Sequence, residues 1–214
     1  MFAIDCGTPL RRTSAGFTLI EMMVVVLIIS IGMAIGVPAM SRWNQTSQAE
    51  AAVEFYAEGL TMARRQALAH NANSRFVLSA NTVSGQFDWR VDVCFPTPTV
   101  PCTSSSSNWS TPTSAAANDP DPGVRYTSVS RSADALPKHA LLTITLVPDG
   151  YEDLYFLPTG WVDQSDSKRL GRIEFRGTNA TADNIQKSAL SVALVGTVSR
   201  CNPDLPNTDS RACP

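Results

Sequence analysis

Residues 16–41 read GFTLIEMMVVVLIISIGMAIGVPAMS. From Met22 to Ser41 this run holds 20 residues and no charge. Wound as a helix it spans roughly 30 Å, the thickness of a bilayer's hydrocarbon core. The reading is a single membrane-spanning helix over residues 17–41. Arg11 and Arg12 are the only cations before the run, so the positive-inside rule puts the N-terminus in the cytoplasm and everything after Ser41 on the other side. An ordinary secretory signal cut near Val37-Pro38-Ala39 would share the cationic flank and the apolar core. Two features oppose it. Glu21 sits at the edge of the apolar run, where an unpaired carboxylate costs about 2.5–3.5 kcal/mol at bilayer depth. Helical periodicity also continues past the run instead of breaking at a mature N-terminus.

That continuation occupies residues 42–73. Ala49, Ala52, Val53, Tyr56, Leu60, Ala63 and Ala67 recur at steps of three and four, the mark of one buried helical face. Asn71-Ala72-Asn73 supplies the stop. The spacing predicts one helix from Phe17 to about His70, on the order of 80 Å long. Residues 74–214 then read as a β-rich globular domain. Strands are expected at Arg75–Ala80, Gln86–Val93, Val124–Ser130, Leu141–Val147, Asp153–Leu157, Arg172–Phe175 and Leu190–Ser199, which are β-branched or aromatic and bounded by turn residues. Asp149-Gly150, between two of these runs, is a hairpin signal. Residues 95–123 are rich in Pro, Ser and Thr and lack periodicity, so they are expected to form a long, exposed, irregular loop. Asp119 and Asp121 read as a solvated acidic turn, since no set of spaced oxygen ligands for calcium follows them. The fold class is α+β, a long N-terminal helix packed on an antiparallel sheet domain.

Composition narrows the function classes. The chain has 214 residues, 43% hydrophobic and 17% charged, with formal net charge −2; that is room for one domain plus an appendage, and too little charge for a disordered tail. His70 and His139 are the only histidines, far apart and without partners at ligand spacing, so neither a metal nor a cofactor is expected. No pairing of Ser, His and Asp or of carboxylates marks catalysis, and the chain reads as no enzyme. Five cysteines are present. Cys94, Cys102, Cys201 and Cys213 make an even set beyond the membrane, as suits an oxidising compartment. Three connectivities exist, and we choose Cys94–Cys102, closing the base of the loop, with Cys201–Cys213 tying down a Pro-rich tail.

Gly16-Phe17-Thr18-Leu19-Ile20-Glu21 ahead of a long apolar helix resembles the prepilin signature of type IV pilins and type II secretion pseudopilins. Tyr155-Phe156-Leu157-Pro158-Thr159-Gly160-Trp161-Val162 further resembles the F-x-P-x-G-x-V stretch of GspH/FimT-type minor pilins and pseudopilins. The resemblance implies a leader at residues 1–16, cut by a prepilin peptidase between Gly16 and Phe17, with N-methylation of Phe17. It implies that Glu21 neutralises the new α-amino group during assembly, and that Pro38 stands where many members carry a helix-bending proline. The implied partners are other pilins or pseudopilins and inner-membrane lipid. The implied place is the bacterial inner membrane, with the C-terminal domain periplasmic and later part of a pilus or pseudopilus.

DNA is the alternative partner, because FimT-like members serve DNA uptake through a G-R-x-R motif near the C-terminus. Here the corresponding stretch is Gly196-Thr197-Val198-Ser199-Arg200, with Thr197 and Ser199 where the arginines are expected. Arg169, Arg172 and Arg200 are the remaining candidates. From Gln164 to Pro214, seven basic residues face five acidic ones, a weak surplus for phosphate. Assembly is therefore favoured over DNA binding.

Overall fold

The computed structural model describes residues 16–120, 127–165, 167, 169–179 and 181–214. The expected leader, apart from Gly16, lies outside the described residues, as do Asp121 and the first residues of the strand expected at Val124–Ser130. The chain separates into two compact units, Met1–Ser41 and Arg42–Pro214, and helix α1 (Leu19–His70) extends through the boundary between them.

In the first unit α1 begins at a cap. Thr18 Oγ1 accepts the Glu21 backbone N–H at 3.3 Å, satisfying one of the amides that open a helix without intrahelical partners, and the Thr18 carbonyl accepts that of Met22 as the first bond of the helical ladder. Side chains from Phe17 to Met40 stand exposed. Ser30, a polar residue inside the run, turns its hydroxyl back to the Val26 carbonyl at 2.7 Å, which removes an unmet donor from an apolar face. Pro38 lies within the helix and has no N–H to donate one turn back.

In the second unit α1 buries Ala49, Ala52, Val53, Tyr56, Gly59, Leu60, Ala63 and Ala67. The helix stops at Asn71, whose φ of 47° is left-handed. The Ala72 N–H then reaches back to the Ala67 carbonyl at 3.1 Å, the Schellman arrangement that satisfies the last turn.

Among the described residues nine strands follow: β1 (Asn73–Ala80), β2 (Phe87–Cys94), β3 (Trp109–Ser110), β4 (Val129–Arg131), β5 (Leu142–Val147), β6 (Asp153–Phe156), β7 (Arg172–Gly177), β8 (Ser188–Val192) and β9 (Val198–Cys201). They form two antiparallel sheets, not one. The first has β1 between β2 and β6, with β3 and β4 pairing successive parts of the far side of β2. The second runs β5-β7-β8-β9. One core joins the buried face of α1 to Phe76, Leu78, Trp89, Leu154 and Phe156 of the first sheet and to Leu142, Ile144, Ile173, Phe175 and Leu190 of the second. Tyr56 links both: its hydroxyl donates to the Phe87 carbonyl at 2.8 Å and accepts the Phe87 N–H at 3.2 Å, and its ring lies 5.8 Å from Phe175. Burial pushes the pKa of this phenol up, because the charged form would lose its hydration.

Several sequence expectations need correction. Asp149-Gly150 does sit in a turn, yet β5 and β6 on either side of it belong to different sheets; turn chemistry reverses the chain without choosing the partner strand. The strand expected at Leu190–Ser199 is a hairpin, β8 and β9. It turns at Ala193–Thr197, where the Gly196 φ of 78° is one that a side chain disfavours. Residues 95–120 are not wholly irregular or exposed: β3 lies among them, Trp109 is buried, and Arg75 stacks over its ring at 4.4 Å. Asp119 is not a solvated turn either. It is buried and accepts the Ser110 hydroxyl at 2.5 Å and the Thr127 hydroxyl at 2.8 Å.

Candidate processing and assembly site

Gly16 and Phe17 precede the helix, and Phe17 is 74% exposed. The junction between them therefore lies outside the helical ladder, beside a capped helix start. Nothing within 4 Å would meet a Cβ at Gly16, so its small size answers no packing demand among the described residues. Glu21 follows in the first turn, four residues beyond Phe17, where a carboxylate is favoured by the partial positive charge of the helix N-terminus. Thr18 and Glu21 together have the T-x-x-E spacing of a capping box. That signal is local to the sequence and stands directly against the apolar run. Glu21 makes no ion pair among the described residues. Pro38 stands four residues before the first cation after the run, Arg42, and is not near Glu21 along the helix. The helix is long and apolar enough to cross a membrane.

Disulfides join Cys94 to Cys102 and Cys201 to Cys213. The first ties the end of β2 to the start of the segment that holds β3. The second closes the end of β9, where Asn202 also bridges Ala212.

The candidate cations for DNA do not form one surface. Arg172 shares a row with Ser191 and Ser199 across the second sheet, whereas Arg200 lies in the adjacent row with Leu190 and Ile173. Alternation sends those two rows to opposite faces. Arg200 reaches across to α1, with Nη2 2.7 Å from Glu50 Oε1; this pairing holds the Glu50 carboxyl below its ordinary pKa and the guanidinium above its own. Arg172 Nη2 is 2.7 Å from Glu174. Other basic residues nearby are likewise engaged: Arg176 by Glu174 and Asp204, Lys187 by Asp204, and Arg211 by Asp209. Arg211 holds the Asp209 carboxyl down at about 2. Arg169 lies elsewhere, lining a recess with Trp109, Tyr155 and Asp163.

Sequence reasoning did not reach Asp92, which is fully buried yet ionisable. It is held by Arg75 Nε at 2.8 Å, Arg90 Nε at 3.2 Å and the Ser128 hydroxyl at 3.3 Å, the multiple pairing that a buried charge requires. Arg90 is its neighbour on β2, but Arg75 on β1 and Ser128 just before β4 are distant in sequence, so no local pattern announced the whole cluster. Among the described residues no three His, Cys, Asp or Glu side chains gather where they could hold a metal ion.

Residues 11–37 match the family pattern described as the prokaryotic N-terminal methylation motif. The match spans the Gly16-Phe17 junction, Glu21 and most of the apolar run, and it stops one residue before Pro38. The motif indicates a type IV pilin-like or pseudopilin-like precursor, and the helix that it opens suggests a membrane anchor by its length and composition. No curated protein and no solved structure matches the chain.

Proposed function

We propose that the chain is the precursor of a minor pilin or pseudopilin of the GspH/FimT type, a structural subunit for initiating or capping a type IV pilus or a type II secretion pseudopilus. The observation that carries this reading is the methylation motif set on an exposed Gly16-Phe17 junction immediately before a capped, apolar helix. In this reading prepilin peptidase cuts after Gly16. Phe17 then presents a methylated α-amino group at the membrane, and Glu21 supplies the opposite charge within the same or a neighbouring subunit. Pairing offsets a desolvation that neither charge tolerates alone. Pro38 gives the helix a place to bend or unwind as it is drawn from lipid into a filament. The sheet domain lies on the periplasmic side, where its two disulfides persist.

Intact-mass analysis of membrane-extracted protein tests the reading directly. The expected species begins at N-methylated Phe17 and contains 198 residues, those left when 1–16 are removed from the full chain. A mature terminus at Ala39 or Met40 would assign the apolar run to a secretory signal and overturn the proposal.

A further inference from the structure

Sheet edges present unpaired N–H and C=O groups, and proteins ordinarily guard them with charge, proline, bulges or covering chain. Three of the four edges here are guarded. β9 carries Arg200 and is followed by the Cys201–Cys213 staple. β6 is covered by Leu170, whose N–H donates to the Asp153 carbonyl, and by Asp163, whose N–H donates to that of Tyr155. On the remaining side of the first sheet, β3 and β4 are short, and β4 ends in Arg131, paired with Glu58. The fourth edge, β5, reads Leu-Thr-Ile-Thr-Leu-Val over residues 142–147. No charge occurs from Ala140 to Pro148.

The direction of its backbone groups follows from its ends. Thr178 N–H donates to the Leu141 carbonyl, so the odd-numbered residues exchange ladder bonds with β7. Leu142 points the other way: its N–H meets the Lys138 carbonyl at 3.2 Å and its carbonyl accepts Gln86 Nε2 at 2.7 Å. Ile144 and Leu146 share that direction. Among the described residues their outward N–H and C=O groups have no partner. Both residues are 6% exposed, and backbone groups so placed are nearly always bonded in a finished structure.

We infer that β5 is a pairing edge for the β5 of a second copy of this chain. Antiparallel pairing with Ile144 opposite the partner's Leu146 uses all four outward groups on each copy, and the two-fold axis then falls at Thr145. Thr143 meets Val147 across the axis. Leu142, already satisfied internally, and Pro148, which has no N–H, end the ladder on either side. Nothing charged is brought opposite its like, and because each copy has one such edge the association closes at two. The inference does not depend on membership of a filament.

Cysteine pairing tests the register. In the full chain with Cys6→Ser, so that the other native cysteines are the four in disulfides, Thr145→Cys places two thiols at a non-hydrogen-bonded position with Cα atoms about 4.5 Å apart, within disulfide reach. The expected result is that most of the Thr145→Cys protein runs as a covalent dimer after mild oxidation, while Thr143→Cys, whose twin lies several residues away along the ladder, stays monomeric. Hydrogen exchange of the Thr145 background chain should show the Ile144 and Leu146 amides protected at high concentration and unprotected in Thr145→Lys. A folded protein in which both cysteines crosslink alike, or neither does, or in which those amides exchange freely at all concentrations, overturns the proposal.

Discussion

Gly59 shows how one residue sets the spacing between helix and sheet. A Cβ there would come within 2.6 Å of Phe76 and 2.8 Å of Trp89, both buried. Gly59→Ala would gain about 1 kcal/mol in helix propensity but overpack a closed core, which costs about 1–3 kcal/mol and more where rings cannot retreat. Net destabilisation is the expected outcome, visible as a lower urea midpoint; an unchanged or raised midpoint would show that the rings give way. Glu50 offers a second residue-scale check. Its folded pKa is depressed, first by the Arg200 hydrogen bond, so the pair's contribution is present above the ordinary carboxylate range and fades as pH falls through the lowered value. The pair is partly exposed and its effect is small. Arg200→Gln should therefore lower the melting temperature slightly at neutral pH and not at strongly acid pH, measured by thermal denaturation across pH.

At the scale of elements, α1 was almost fully legible in advance. Each apolar position named from spacing of three and four is buried, because on a helix that spacing fixes the face; Gly59 escaped because glycine carries no apolar signal of its own. Most strand positions were legible for the same periodic reason, but the two-residue β3 and the turn that splits Leu190–Ser199 into β8 and β9 were not; nor was the grouping into two sheets, since pairing is decided by contacts between distant residues. The buried Asp92 cluster was hidden likewise, since Arg75 and Ser128 reach it from distant sequence, and the Asp119 bonds were hidden because Ser110 and Thr127 lie eight to nine residues away with no periodic pattern between them. The methylation motif around Gly16-Phe17 was the most legible stretch, being local and linear. Its prediction belongs to the helix as a unit: Glu21→Val should leave the protein inserted in the membrane, because it removes a charge from an apolar segment, yet reduce its recovery in sheared filaments or crosslinked initiation complexes to a small fraction of wild type. Normal recovery of the variant would remove Glu21 from assembly.

On the scale of the whole molecule, the unit from Arg42 onward has its own core. A chain starting at Asn44 should accordingly fold without detergent, with cooperative thermal unfolding and a monomer–dimer sedimentation profile; aggregation without a cooperative transition would show that the apolar segment is needed for folding. The same domain should bind duplex DNA weakly at near-physiological salt. Its candidate arginines are divided between faces or held by carboxylates, and removal of the leader, with Arg11, Arg12 and Asp5, takes the formal net charge from −2 to −3. Low-micromolar binding lost in Arg200→Ala, or in Arg169→Ala with Arg172→Ala, would restore the uptake reading. The two disulfides carry a last consequence. Each spans a short stretch, 8 and 12 residues apart in sequence, so a protease that nicks the chain between Cys94 and Cys102, or between Cys201 and Cys213, severs the backbone while both fragments stay joined; on a non-reducing gel the clipped protein would still migrate as one species, and only a reductant would reveal the wound.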